Sequence, residues 1–291
     1  MLTARPTSLR ARLDAGEFIV APGVFDMISA RIADTMGFQA LYMTGYGTVA
    51  SHLGLPDAGL ATFSDMLGRV ERICSLTDTP LIADADTGYG GLLNVRHTVR
   101  AYEAAGAQAI QLEDQEFPKK CGHTPGRRVV AAAEMARKIA VAAESRRSDD
   151  FLIIARTDAR ASLGLDEALA RAESYRRAGA DILFVEAPES EAEMARIGAS
   201  LEGPLLANLV EGGRTPIVSR ERLREFGFAI AIHPAAGFLA AAAALKGIYG
   251  GLRQRGSSLG SEVPLLPFTE MNQIMGFEDV WAFEQAHADE P

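Results

Sequence analysis

Eight times along the chain a short apolar run gives way to a longer amphipathic one, and this alternation limits the possible folds more than any other feature. The apolar runs at 18–23, 40–44, 80–83, 109–113, 151–156, 182–186, 204–208 and 228–232 read as strands. Helical periods fill most of the gaps, at 25–37, 63–75, 94–105, 130–144, 166–178, 189–200 and 219–226, with a last one at 235–252. Several of these stop at a glycine, as helices commonly do. Strands separated by helices pair in parallel. Eight such units in roughly 250 residues fit a closed (β/α)8 barrel. The rival is an open doubly wound sheet, and the lack of a Gly-x-Gly-x-x-Gly after the first strand weakens it as a dinucleotide binder. We therefore expect one barrel domain over 1–291 with a helical extension at 257–291. That tail carries Phe268, Met271, Ile274, Met275, Phe277, Val280, Trp281 and Phe283, interrupted by Gly276. So much apolar surface needs a partner, in its own barrel or in a neighbouring subunit.

Composition excludes some classes of function. Charged residues are 23% and hydrophobic ones 48%, ordinary for a globular protein in water. A net charge of −9 argues against a nucleic-acid surface. Cys74 and Cys121 make no disulfide framework and suit a reducing cytoplasm. Residues 1–12 lack the apolar run of a signal peptide. The most apolar late stretch, 228–245, is broken by His233, Pro234 and Gly237, so it reads as a buried strand and helix instead of a membrane span.

In a barrel the chemistry sits where the strands end. The strand ends here carry Tyr42 and Thr44, Asp84 and Asp86, Glu113 and Gln115, Arg156 and Asp158, Glu186, Asn208 and His233. Asp84 and Asp86 alternate with alanines and so share one face of their strand. Two like charges there raise each other's pKa or hold a cation. Oxygen donors suit a hard cation, so a magnesium-type site is expected. Residues 114–130 show no apolar period, and so long a loop inside a compact chain is usually functional. It holds Cys121 between Lys119, Lys120 and His123, a setting expected to favour the thiolate. Gly122 allows close backbone approach. His233 is expected to be structural, and Cys74 to lie in the core.

Two motifs resemble the isocitrate lyase/phosphoenolpyruvate mutase superfamily: Asp84-Ala85-Asp86-Thr87-Gly88-Tyr89-Gly90 and Pro118-Lys119-Lys120-Cys121-Gly122-His123. The likeness runs from about Arg10 to Trp281. It includes Thr44-Gly45-Tyr46, Leu55-Pro56-Asp57, Glu113-Asp114-Gln115, Val185-Glu186-Ala187-Pro188 and Glu211-Gly212-Gly213-Arg214-Thr215-Pro216. The cysteine motif is similar to the lyase branch. The resemblance implies a (β/α)8 barrel assembled as a homotetramer, a dimer of dimers that exchange their last helix. It implies Mg2+, with Mn2+ able to take the same oxygen ligands. Asp86 corresponds to the direct metal ligand, and Asp57, Asp84 and Glu113 to acids that hold the metal through water. Tyr42, Thr44, Gly45 and Tyr46 fall where the family contacts the keto-acid end of its substrate, Thr44 standing where many relatives have serine. Arg156, Glu186 and Asn208 fall at substrate-binding positions, as do Gly122 and His123 beside the catalytic acid, Cys121.

The activity so implied is retro-aldol cleavage of a 2-hydroxy dicarboxylate to a 2-oxo acid and a second carboxylic acid. The segments around Glu186 and Gly212 are more similar to the group that cleaves 2-alkylmalates such as 2,3-dimethylmalate, which includes the plant petal death protein. Methylisocitrate lyase, acting on a tricarboxylate, is the nearest alternative; oxaloacetate decarboxylase and phosphonate enzymes are more distant. Glu186 would either position Arg156 or assist proton movement, and Tyr42 leads as the base.

Overall fold

The computed structural model describes residues 7–124 and 126–288. The first six residues of the N-terminal stretch, Pro125 of the long loop and the last three residues of the tail lie outside the described part. Helix α1 (Leu9–Asp14) precedes β1 (Ile19–Val24), α2 (Met27–Asp34), β2 (Leu41–Met43), α3 (Gly45–Leu53) and α4 (Phe63–Leu76). There follow β3 (Leu81–Asp84), α5 (Leu92–Ala104), β4 (Ala109–Glu113), α6 (Ala132–Ser145), β5 (Leu152–Thr157), α7 (Arg160–Leu163) and α8 (Leu165–Arg177). The chain continues through β6 (Ile182–Val185), α9 (Glu191–Ser200), β7 (Leu206–Asn208), α10 (Arg220–Glu225), β8 (Ile230–His233) and α11 (Ala236–Arg255). The last two helices are α12 (Phe268–Met275) and α13 (Phe277–Ala286).

All eight strands run parallel, in the order β6-β5-β4-β3-β2-β1-β8-β7. A single bridge between Leu183 and Leu205 joins the two ends, so the sheet closes into a (β/α)8 barrel. Alternate residues of each strand fill its interior: Ile19 and Ala21, Tyr42, Ile82, Ala109, Leu152 and Ile154, Ile182 and Phe184, Leu206, Ile230 and Ile232. The residues between them point outward into a second, larger core beneath the helices. Helix α1 closes the N-terminal mouth. Leu9 is wholly buried among the interior residues, and its backbone N–H donates to Gln108 Oε1 at 2.7 Å. Register then levels the other mouth, setting Asp84 beside Gln111 and Glu113 beside Arg156.

The expected elements are all present, with ends shifted by up to three residues. Helices α1, α3 and α7 were not expected; α1 and α7 span only six and four residues, and α3 opens on Gly45-Tyr46-Gly47, which reads as a turn at the end of a strand. The tail forms two helices instead of one, because Gly276 sits at φ 83° between them. By its contacts the chain divides into two compact units, at 238/239. In the second unit Phe268, Trp281 and Phe283 are more than half exposed. No described helix is long and apolar enough to cross a membrane.

The helices that wrap the barrel meet closely at Gly198, where a Cβ would collide with the carbonyl oxygen of Phe226. In an open helix Gly→Ala stabilises by about 1 kcal/mol. Here Gly198→Ala should destabilise, by about 1–3 kcal/mol for overpacking. Urea unfolding checks the sign.

Candidate active site

At the C-terminal mouth the strand ends enclose a cavity of about 60 Å3. Its walls include Tyr42, Thr44, Gly45, Tyr46, Asp57, Asp84, Glu113, Cys121, Gly122, His123, Arg156 and Asn208. These are all the residues expected at the site except Asp86 and Glu186, each of which lies directly behind a wall residue. The fit is close at two glycines. A Cβ on Gly45 would stand 2.5 Å from Asp84 Oδ2, and one on Gly122 would run into Arg156.

One side of the cavity is acidic. Asp86 follows β3 in the left-handed region, at φ 49°, a conformation that non-glycine residues hold only under local constraint. The next residue is pinned from behind: buried Lys138 of α6 donates to the Thr87 carbonyl at 3.0 Å. Lys119 of the long loop inserts its ammonium between Asp57 Oδ1 and Asp86 Oδ1, at 2.5 and 2.6 Å. Burial works against that charge, but Asp86, Asp57, Glu113 and Asp84 outweigh it and hold the Lys119 pKa well above its usual value. Burial, helped by neighbouring acids, raises the carboxyls themselves: Asp84 and Glu113 stand above the ordinary range and Asp86 reaches about 7. Glu113 Oε1 is buried without a hydrogen-bond partner. No three acidic, histidine or cysteine side chains among the described residues converge into a closed metal shell. The donor set still fits a hard cation held by few direct bonds and by water, because every donor is oxygen and negative charge is in excess.

The opposite side holds Arg156, at the end of β5. Asp158 grips it in two bonds, Nε to Oδ2 at 2.9 Å and Nη2 to Oδ1 at 3.0 Å. Asp158 is itself fixed by Asp114, which accepts from the Asp158 backbone at 2.8 Å, from Thr157 at 2.7 Å and from Tyr175 at 2.8 Å. Asp158 is therefore the group that positions Arg156. Glu186 is 3.7 Å from Arg156 and pairs more closely with His123, at 3.0 Å, and with Asn208, at 3.1 Å. Burial alone would raise the Glu186 carboxyl; Arg156 and His123 bring it down to about 2.

Two expectations change. Cys121 does not favour the thiolate: burial pushes its pKa up, and each cation near it in sequence is engaged elsewhere. Lys119 faces Asp57 and Asp86, Lys120 reaches toward the Gly126 carbonyl, and His123 pairs with Glu186. Tyr42 is poorly suited to be a base. Burial and the charge of Asp84 hold its pKa well above 10, and its hydroxyl donates to Gln111 at 3.0 Å. His233 does not line the cavity; its Nδ1 is 3.8 Å from Glu211.

Comparison with known proteins identifies the frame. The model of the phosphoenolpyruvate phosphomutase family matches residues 9–252. The chain belongs to the phosphoenolpyruvate mutase/isocitrate lyase superfamily. It is 46% identical over 280 residues to 2,3-dimethylmalate lyase of Eubacterium barkeri, covering 96% of this chain and 97% of that one. It is 38% identical to 2-methylisocitrate lyase of Escherichia coli, covering 86% and 85%. Among solved structures, oxaloacetate acetylhydrolase bound to 3,3-difluorooxalacetate superposes with a TM-score of 0.92 at 38% identity, covering 98% and 97%. A crystal structure of 2,3-dimethylmalate lyase gives 0.91 at 38%, covering 99% and 97%.

Sequence reasoning missed several groups at the site. Asp158 was noted at a strand end but given no role, Lys119 was read only as a cation beside Cys121, and Arg127 was given no role at the site. The apolar wall of Val210, Pro234, Ala235 and Phe238 left no signal, because apolar residues near a strand end look like core.

The depressed Glu186 pKa has a consequence for stability. The ionised form stabilises the fold fully above the unfolded value near 4.5, and this contribution is lost as pH falls through about 2. Glu186→Gln should therefore be destabilised at pH 7, with the gap to the parent narrowing between pH 4.5 and 2. Urea midpoints across that range measure it, and a gap independent of pH would contradict the assignment.

Proposed function

We propose that this chain is a Mg2+-dependent carbon–carbon lyase that cleaves a 2-alkylmalate-type 2-hydroxy dicarboxylate, such as 2,3-dimethylmalate, to pyruvate and a second carboxylic acid. The reading rests above all on one juxtaposition: an acid cluster, a buried guanidinium and a protonated thiol face the same small cavity. The 46% identity to a 2,3-dimethylmalate lyase over nearly the whole chain supports it.

In this reading Asp86 holds the cation directly, and Asp57, Asp84 and Glu113 hold it through water. When bound, the cation supplies Lewis-acid polarisation of the substrate hydroxyl and its adjacent carboxylate. Thr44, Gly45 and Tyr46 receive the keto-acid end. Thr44 is the N-cap of α3 and makes no side-chain bond to the first turn, so the positive end of that helix is available to a carboxylate. Arg156, with Asn208, His123 and Gly122 beside it, holds carboxylate charge by paired hydrogen bonds. Tyr42 stays neutral and orients a substrate oxygen or water through the Gln111 network, and the proton that leaves the substrate hydroxyl as the carbon–carbon bond breaks passes to the unpartnered Glu113 Oε1 in the cavity wall. Cys121 delivers its proton to the enediolate carbon of the departing acid; a raised thiol pKa keeps that proton in place until carbanion character develops. Loop 117–128 excludes water from this step. Val210, Pro234, Ala235 and Phe238 favour alkyl substituents over the third carboxylate of methylisocitrate.

Two free cysteines suit a reducing cytoplasm, where we place the enzyme. We also assign the exposed apolar residues of α12 and α13 to a neighbouring subunit, in a homotetramer built from two helix-exchanged dimers.

The test is a parallel product assay with 2,3-dimethylmalate, 2-methylisocitrate, isocitrate, oxaloacetate and phosphonopyruvate, with and without EDTA. Fast, EDTA-sensitive pyruvate release from dimethylmalate is expected. Preference for methylisocitrate would move the enzyme to the tricarboxylate branch. Cleavage of oxaloacetate alone, to oxalate and acetate, would favour the chemistry named for the acetylhydrolase relative. Cys121→Ser should lower cleavage about 10^2–10^4-fold, the usual range for a lost general acid; full activity would remove the thiol from the mechanism.

A further inference from the structure

We propose that Arg127 is a positioning residue for Arg156, acting through Asp158, so that seating of loop 117–128 and binding of a substrate carboxylate strengthen each other. The inference rests on the reading of the cavity as a carboxylate site.

Adjacent arginines on the loop behave differently. The Arg128 side chain is 78% exposed and pairs with Glu116. Arg127 turns inward and is buried. Its Nη1 donates to Asp158 Oδ1 at 2.5 Å and its Nε to the Thr124 carbonyl at 3.2 Å. Asp158 Oδ1 is the same oxygen that accepts from Arg156 Nη2. One carboxylate, almost wholly buried, therefore serves two guanidiniums, one in the cavity wall and one on the loop.

That sharing has a direction. Asp114 fixes the Asp158 backbone and two bonds from Arg156 hold its carboxylate from the barrel side, so Asp158 belongs to the barrel and not to the loop. With Arg127 in place, the charge of Asp158 is divided, and Arg156 keeps more positive charge for an anion in the cavity. With Arg127 withdrawn, Asp158 pairs with Arg156 alone and competes with the substrate for it. The converse holds by linkage: a carboxylate on Arg156 loosens its grip on Asp158 and frees that charge for Arg127. Cys121 sits on the same loop, so this coupling brings the proton donor into the cavity when the anion is bound.

The experiment uses the Mg2+-loaded enzyme and oxalate, the smallest dicarboxylate, as the probe. Oxalate affinity is measured by calorimetry, and amide hydrogen exchange is followed over the loop with and without oxalate. Oxalate should slow exchange across the loop in the parent. Arg127→Met should weaken oxalate binding about tenfold, within the usual range of coupling between sites, and should abolish the oxalate-dependent slowing. Arg127→Lys should restore part of both, which also covers the case in which the methionine variant folds poorly. Arg128→Met should change neither. In an Asp158→Asn background, Arg127→Met should have little further effect. Parent-like oxalate affinity in Arg127→Met would overturn the coupling, even if the loop exchanges faster, because Arg127 would then be a simple anchor. If the parent itself fails to bind oxalate, the carboxylate reading of the cavity falls, and this inference with it.

Discussion

A surplus of buried negative charge governs the C-terminal mouth of this barrel. Asp57, Asp84, Asp86, Glu113, Asp158 and Glu186 are all buried there, against the buried cations Lys119, Arg127 and Arg156. Carboxylates removed from water are tolerated only when paired or protonated. The two ends of the cavity use different solutions. Around Arg156 the charges are matched, and Glu186 stays ionised far below its ordinary range. Around Asp86 they are not, and the carboxyls rise until Asp86 would be half protonated near neutral pH. One ammonium, from Lys119, cannot offset four acids. A hard dication beside it would leave one negative charge of the four uncompensated, and this imbalance favours a bound cation on charge alone, without appeal to any relative.

The fold supplies the rigidity such a cluster demands. Carboxylates that repel one another would splay apart on flexible segments. Here they project from adjacent strands whose register is fixed by backbone ladders, with Glu113 beside Arg156 and Asp84 beside Gln111. Helices brace the turns from outside: Lys138 on α6 holds the Thr87 carbonyl, and Tyr175 and Arg171 on α8 hold Asp114. The rest of the chemistry is carried by the loop between β4 and α6, which brings Lys119, Cys121, His123 and Arg127 to partners on the barrel and its connecting loops. Each of these four residues meets a group on the barrel or its connecting loops, so the loop is seated by charge on both sides of the thiol.

How much of this was legible in the sequence follows from the same physics. Strands and wrapping helices declare themselves by period, so the barrel could be read directly. The strand-end residues could be read too, because ionisable groups at the end of an apolar run are costly and repeat around the barrel. Pairing could not be read, because it depends on distance between segments remote in sequence. Lys119, Lys120, His123 and Arg127 look like one basic patch along the chain, and a patch of that kind should favour a thiolate at Cys121. In three dimensions each cation turns to its own acceptor, and the thiol is left with burial as the dominant influence. Glu186 and Asp158 were likewise indistinguishable as partners for Arg156 until their distances were known. The short helix α3 gave no periodic signal, yet its N-terminus forms part of the cavity wall.

The reversal at Cys121 bears on the order of events in catalysis. A thiolate in this position would be an additional negative charge beside an already overloaded acid cluster, and it would have no proton to give. A buried neutral thiol is compatible with the crowding and becomes acidic only toward a stronger base, such as the carbon of an enediolate. Burial above all, with the charges of Asp57 and Glu186 adding to it, therefore keeps the proton on Cys121. If Arg127 and Lys119 seat the loop by charge, delivery of that proton is tied to the state of the anion and cation sites on either side of it. Selectivity between substrates would then arise in two places: the apolar wall of Val210, Pro234 and Phe238 sorts substituents, while the loop sorts anions by whether they draw Arg156 away from Asp158.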